Sequence, residues 1–297
     1  MSKITSLFFI FFLLIAVADA KDIPPTEKAK IRTEEAILDL EKDQYSIPGD
    51  AEIESGELTI KGAGLVYDRK KGTVQFQKSP VKLSYGKNLR AVLGAVNADL
   101  NTRFIHASEG CVVEFENEDM FTRMEASDIT LDLKNKIAEA ATNTVFHYQA
   151  KAKKTKMGVD VSEMSFSASK IRYNFGEGKA AADGEAKVEF RQGYLRAAKL
   201  EADLEEKIVR AENVEVQIED IHAHAGKVML YYGEERAVLE GGVEAERGEE
   251  KMKADGIIIN YRKGQKSMHL VGKGELDLVI KKEEKPVEEK KLQENNK

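Results

Sequence analysis

From Ala36 onward the chain repeats a short pattern, apolar-x-apolar-x-apolar, eight times. Its members are Ala36/Leu38/Leu40, Ala63/Leu65/Tyr67, Val96/Ala98/Leu100, Ile129/Leu131/Leu133, Ile171/Tyr173/Phe175, Leu200/Ala202/Leu204, Val228/Leu230/Tyr232 and Ile257/Ile259/Tyr261. Successive copies start 27, 33, 33, 42, 29, 28 and 29 residues apart. The positions between are mostly polar, among them Asp39, Asp99, Asp132, Asn174, Asp203 and Asn260. Side chains alternate across a strand with period two, so each triplet predicts one half-buried strand.

Each copy continues in the same way. A polar turn follows, such as Lys70-Lys71-Gly72, Lys134-Asn135-Lys136 or Lys263-Gly264-Gln265, and then a second alternating strand. Second strands include Val81/Leu83/Tyr85, Val113/Phe115, Val188/Phe190, Val214/Val216/Ile218, Val243/Ala245 and Leu276/Leu278/Ile280. Gly184, Gly242 and Gly274 stand just before several of them, where a bend or bulge is expected. Residues 194–212 and Ile31 to Lys42 are rich in good helix formers and, alone, read as helices. Register with the other copies overrules that, because a helical period does not preserve the triplet.

A two-stranded unit cannot bury one face alone, so neighbouring units must stack. The expected fold is all-β, an elongated antiparallel sheet of about 16 or more short strands, with no linker dividing residues 31–280. The longest gap between copies holds an insertion, Lys151 to Asp160, whose Lys151, Lys153, Lys154 and Lys156 make a basic, solvated tip.

The ends read differently. Lys3, an unbroken apolar run from Leu7 to Val17 and Ala18-Asp19-Ala20 match a secretory leader, expected to be cleaved after Ala20. Residues 21–30 then form a linker, and residues 281–297 a charged tail whose composition favours disorder. The run is short for a helix crossing a hydrocarbon core, which needs about 20 apolar residues. A single cysteine, Cys111, precludes an intramolecular disulfide and is expected to be a buried, inert hydrophobe. A net charge of −6, with no basic stripe, argues against nucleic acid as a partner.

Little in the sequence points to catalysis. His222 and His224 would share a strand face, but no third ligand has matching spacing, so neither a metal nor a cofactor is expected. Nucleophile-elbow, phosphate-loop and zincin motifs are missing, and no pair of carboxylates is singled out. The chain is not expected to be an enzyme.

Three stretches carry a family resemblance. They are Leu195-Arg196-Ala197-Ala198-Lys199-Leu200-Glu201-Ala202-Asp203-Leu204 with Ala211-Glu212-Asn213-Val214-Glu215-Val216, then Met252-Lys253-Ala254-Asp255-Gly256-Ile257-Ile258-Ile259-Asn260-Tyr261, and Ala237-Val238-Leu239-Glu240-Gly241-Gly242-Val243-Glu244-Ala245. They resemble the repeat of the LptA/OstA family of periplasmic lipopolysaccharide-transport bridges and its relative LptC, over about residues 31–280. The resemblance implies a β-jellyroll, a folded-over sheet or β-taco whose apolar groove carries acyl chains. It also implies head-to-tail self-association by strand pairing, lipopolysaccharide or a related glycolipid as ligand, and other Lpt-type components at the inner and outer membranes as partners. The implied groove lining is Leu65, Tyr67, Val96, Leu100, Ile129, Leu131, Leu133, Ile171, Tyr173, Phe175, Leu200, Leu204, Val216, Leu230 and Ile259. The implied assembly edges are Ile37, Leu38, Leu276 and Leu278. This chain is longer than a typical LptA. The competing expectations are an exported β-repeat scaffold with a closed core and a secreted β-solenoid acting on carbohydrate.

Overall fold

The computed structural model describes residues 29–151, 153–155, 158–160, 163–262 and 266–277. The leader, the charged tail, the Lys263-Gly264-Gln265 turn, Leu278 and Ile280 lie outside the described residues, as does most of the 21–30 linker. The described residues form strands and no helix. They begin with β1 (Lys30–Thr33), β2 (Ile37–Asp39), β3 (Gln44–Ser55), β4 (Leu58–Asp68), β5 (Thr73–Tyr85), β6 (Leu89–Leu93), β7 (Ala95–Asp99) and β8 (Phe104–Ser108). Next come β9 (Cys111–Glu116), β10 (Met120–Ala126), β11 (Asp128–Asp132), β12 (Ile137–Ala150), β13 (Lys153–Thr155), β14 (Gly158–Asp160) and β15 (Glu163–Asn174). The last are β16 (Lys179–Phe190), β17 (Gly193–Asp203), β18 (Ile208–Ile218), β19 (Ile221–Tyr231), β20 (Arg236–Arg247), β21 (Glu250–Asn260) and β22 (Ser267–Asp277). Both segments that read locally as helix are strands.

β13 and β14 pair only with each other, as a small hairpin in the insertion, and the other 20 strands form one antiparallel sheet. Its organisation follows the repeat. β1–β2, β6–β7, β8–β9 and β10–β11 are each one run of chain interrupted at its middle, so the sheet is a meander of sixteen runs, two per repeat. The runs are longer than the short strands the sequence suggests, because each passes through a bend and continues. Register slips mark the bends at Ile47/Asp50, Ala141/Thr144, Asp183/Ala186 and Glu240/Val243. Three of these bends use left-handed residues, Thr142 and Asn143, Gly184, and Gly241 with Gly242, and Asn213 does the same within β18.

The bends divide the sheet into two ladders. One contains the triplets: β2, the first half of β3, the second half of β4, the first half of β5, β7, β8, β11, and so on to residues 267–271. The other contains β1, the second half of β3, the first half of β4, the second half of β5, β6, β9, β10 and the matching halves onward. Their apolar faces meet. The Phe146 ring on the second ladder lies 4.9 Å from Tyr173 on the first, and Tyr148 lies 5.9 Å from Tyr232.

One stretch corrects the expectation of an open sheet. β5 and β12 each pair at both ends, with β6 and β7 and with β10 and β11 respectively. β6 pairs β9, β9 pairs β10, β7 pairs β8 and β8 pairs β11, so eight strands close into a ring. The reason is local. The three runs between β5 and β12 break outright at Gly94, Glu109-Gly110 and Ser127 instead of bulging, so each ladder returns independently to the same two strands.

Gly94 shows what such a break demands. A Cβ there would stand 2.2 Å from the Ser108 carbonyl oxygen and 2.7 Å from that of Glu109, both backbone atoms unable to swing aside. Gly94→Ala is expected to destabilise by about 1–3 kcal/mol in urea denaturation. Gly49 sits at the β3 bend with nothing within 4 Å of its would-be Cβ. Gly49→Ala is expected to be neutral or to stabilise by up to about 1 kcal/mol.

The turns explain the Asp or Asn that ends each of six strands of the triplet ladder, β2, β4, β7, β11, β15 and β17. Asp39 accepts from the Glu41 and Lys42 N–H groups, Asp68 from Lys71, and Asp99 from Asn101 and Thr102. Asp132 accepts from the Asn135 N–H, Asn174 from Gly176 and Glu177, and Asp203 from Glu206. Six of the eight repeats thus fasten the turn with one side chain at the same place, a local device suited to Asp and Asn. The Lys42 and Lys71 N–H groups hold Asp39 and Asp68 below the ordinary carboxylate range. At Asp132 partial burial pushes upward, but the Asn135 amide and N–H outweigh it and the net shift is downward. A carboxylate with a lowered folded-state pKa contributes stability above its unfolded pKa, about 3.9, and loses it as pH falls through the folded value. The urea midpoint is therefore expected to hold between about pH 7 and pH 5 and to drop below about pH 4. The drop should be shallower in a D68N/D132N double variant, which keeps an acceptor without the charge.

Candidate functional site

The interior between the ladders gathers the residues that the sequence singles out. Leu65, Tyr67, Val96, Ile129, Leu131, Leu133, Ile171, Tyr173, Phe175, Leu200, Leu204, Leu230 and Ile259 are buried on the triplet ladder, and Val216 is buried on the other. Leu100 is only partly buried but packs against the same core. Ile37, Leu38 and Leu276 lie on the outermost runs and are exposed, as edge positions should be. Leu40, the third position of the first triplet, is 83% exposed, because the first run has no neighbour on its far side among the described residues.

The interior changes character along its length. At mid-chain, large rings bridge the ladders: Phe115 meets Phe175 at 5.6 Å and Tyr173 at 6.3 Å, and Phe146 meets Tyr173 at 4.9 Å, while Phe166 packs beside Phe146 on its own ladder. Burial pushes the Tyr173 hydroxyl pKa up to about 12, so it stays protonated, 3.8 Å from the Met120 sulfur. Toward the C-terminus small buried residues such as Ala186, Ala202, Ala223, Ala237 and Ala245 stand among large aliphatic ones such as Leu230, Leu239, Ile257 and Ile259. From β3 to β21 the apolar lining is nearly closed to water. At β22 it is uncovered: Leu270 and Leu276, opposite buried Ile257 and Met252, are 41% and 44% exposed.

The two rows of turns also meet. Gln192 Nε2 donates to Glu235 Oε1 at 2.9 Å, and Lys266 Nζ to Glu219 Oε2 at 2.6 Å. The Phe190 and Tyr261 rings, 6.0 Å apart, lie along the same seam. Sequence reasoning missed these clasps. Their partners are 43 and 47 residues apart, and each is one of many polar turn residues.

The outer faces carry charge ladders. Across four strands, Glu215 faces His224, His224 faces Glu244, and Glu244 faces Lys253, with a 2.6 Å Lys253–Glu244 ion pair. His222 and His224 are both exposed, and no group of three potential metal ligands occurs among the described residues. A surface cavity of about 1070 Å³ along the bends has Lys187, Arg196, Glu215, His224 and Glu244 in its walls, so it is a polar groove unlike the interior. Cys111 is buried, its thiol pKa pushed up by that burial, and its Sγ lies 3.9 Å from the Ser127 carbonyl. Among the described residues no helix is long and apolar enough to cross a membrane.

No protein-family model matches the chain, and no curated protein does. Among solved structures it is similar to LptH of Pseudomonas aeruginosa, the LptA-homologous periplasmic component of the lipopolysaccharide transport device. The alignment covers 52% of this chain and 81% of that one, at 12% identity and a TM-score of 0.26, an overlap too slight to carry function across.

Proposed function

We propose that the chain is a periplasmic lipid-binding bridge, carrying lipopolysaccharide or a similar amphiphile along its apolar interior toward the outer membrane. The observation that carries this reading is the geometry of the lining. Apolar positions continue from run to run between the ladders and are uncovered at the terminal run, where Leu270 and Leu276 stand exposed. An acyl chain entering there gains about 0.8 kcal/mol per CH₂ removed from water. The repeat resemblance supports the same reading, with a folded-over, OstA-like sheet, Lpt-type partners at both membranes and an exported, soluble chain. The reading assigns no catalytic role: the chain offers a passive path, and direction comes from an energy-coupled partner.

The test is direct. The chain is expressed with its leader in a host that makes lipopolysaccharide, purified without detergent and extracted for mass spectrometry. A photo-crosslinking residue is placed at Leu131 or at Leu270. The expected result is co-purifying glycolipid and a crosslink at either site. Absence of both would remove the reading.

A second reading, an exported scaffold with a filled core, is favoured by one observation. Phe115 and Phe146 on one ladder touch Tyr173 on the other at mid-chain, where a trough would need space. A conduit requires these rings to part when lipid passes; a scaffold does not.

A further inference from the structure

Tyr261 closes the last triplet, and 3% of its surface is exposed. Its hydroxyl has no hydrogen-bond partner among the described residues. Its counterparts are provided for: Tyr232, one repeat earlier, donates to the Leu204 carbonyl at 3.2 Å, and Tyr148 reaches the same oxygen at 3.3 Å. A buried phenol left unpaired is costly, and most such groups find a partner. Burial first and the nearby Glu235 carboxylate second push its ionisation upward, so it remains a hydrogen-bond donor.

Its position suggests what would accept that bond. The Tyr261 N–H donates to the Glu235 carbonyl at 3.0 Å, and the Glu235 carboxylate is held by Gln192 across the seam. The phenol thus lies directly beneath a clasp, beside Phe190, at the boundary between the polar turns and the apolar interior. The interior at this end holds small side chains, including Ala186, Ala237 and Ala245, among larger aliphatic ones such as Leu239 and Ile259. An acylated amphiphile has an acceptor at that boundary when its chain is inside and its headgroup outside: the ester or amide carbonyl at the head of the chain.

We propose that the Tyr261 hydroxyl receives this carbonyl, with the Gln192–Glu235 clasp parting to leave the headgroup in solvent. The proposal rests on the lipid-binding reading and assigns the place where the polar junction of the lipid sits.

The experiment compares two amphiphiles of equal chain length on the whole mature chain, each below its micellar concentration. N-dodecanoylglucosamine carries the carbonyl; dodecyl glucoside does not. Calorimetric titration of wild type and Y261F is expected to show about fivefold weaker binding of the amide amphiphile by the variant, the worth of one hydrogen bond of about 1 kcal/mol. Binding of the glucoside should be unchanged. Y261F should also have a urea midpoint at or above that of wild type, because it removes an unpaired polar group. A lower midpoint would mean the hydroxyl is already bonded and would overturn the proposal. Equal loss on both amphiphiles, or no loss, would overturn it while leaving the conduit reading in place. If wild type binds neither amphiphile, both readings fall together.

Discussion

Phe146→Ala is expected to cost about 3–5 kcal/mol of stability and to divide one unfolding transition into two. The side chain is fully buried, with its ring against Phe166 at 5.6 Å and Tyr173 at 4.9 Å. Through Tyr173 the contact continues to Phe115, so one ring ties together β9, β12 and β15 across both ladders. Alanine would leave a cavity that these strands cannot collapse to fill, since backbone pairing on both sides of β12 holds them in place. In a stack whose contacts run mainly between neighbours, stability is a sum of unit and interface terms, and weakening a central interface uncouples the halves. Urea denaturation followed by circular dichroism should therefore show a lower first midpoint and a second, less affected transition. Phe104, 46% exposed, is the control, and Phe104→Ala should lie within about 0.5 kcal/mol of wild type. The same measurement bears on function. A loss below about 1 kcal/mol at Phe146 would mean the mid-chain interior is not closely packed, which favours an open trough over a filled scaffold.

Much of the fold was legible because its unit is local. Period-two alternation in Ile129/Leu131/Leu133 or Val214/Val216/Ile218 needs no knowledge of distant residues, and recurrence corrected the helical bias of residues 194–212. The turn device could have been read in part, since Asp39, Asp99, Asp132, Asn174 and Asp203 each follow the middle triplet position, whereas Asp68 stands two places later and joins them only as the last residue of β4. What could not be read was continuity through the bends. Val209/Ala211 and Val214/Val216 look like two strands on either side of an interruption, yet both belong to β18, turned at left-handed Asn213. Nor did alternation reveal the ring from β5 to β12, because a run that breaks at Gly94 and one that bulges at Gly241-Gly242 share the same apolar pattern on each side. The candidate lining was legible as an apolar face, but its closure was not: Tyr173 faces inward whether the opposite ladder touches it or not. The seam clasps depend on pairs such as Gln192 and Glu235 that meet only in three dimensions.

Leu270→Asp combined with Leu276→Asp is expected to abolish end-to-end self-association while leaving the fold intact. Among the described residues β22 pairs with β21 alone, and β1 and β2 pair with β3 alone, so the outer side of each terminal run is unpaired. Such edges template addition of another strand. Direction allows it: the first run passes from the β1 ladder to the triplet ladder and the last run passes back, so a second copy would continue the antiparallel meander. Charge favours it too. The Glu244–Lys253 alternation ends on Glu275, which faces Lys253, and on Asp277, which faces Lys251. Lys30 and Arg32 on β1 would extend that alternation from the next copy. Inside, Leu270 and Leu276 would be covered, a full leucine burial being worth about 1.5–3 kcal/mol, and they are already about half covered. Aspartate at both positions forfeits that gain and must be desolvated on pairing, a much larger cost. Sedimentation velocity should show concentration-dependent association of the wild-type chain, weakened by salt because exposed charge pairs are screened. The double variant should sediment as a monomer throughout, with its stability in urea lowered only modestly, by about 1–2 kcal/mol, since both leucines are about half covered in the isolated chain. A variant that still associates would place the contact elsewhere on the molecule and take the unpaired edges out of the proposed bridge.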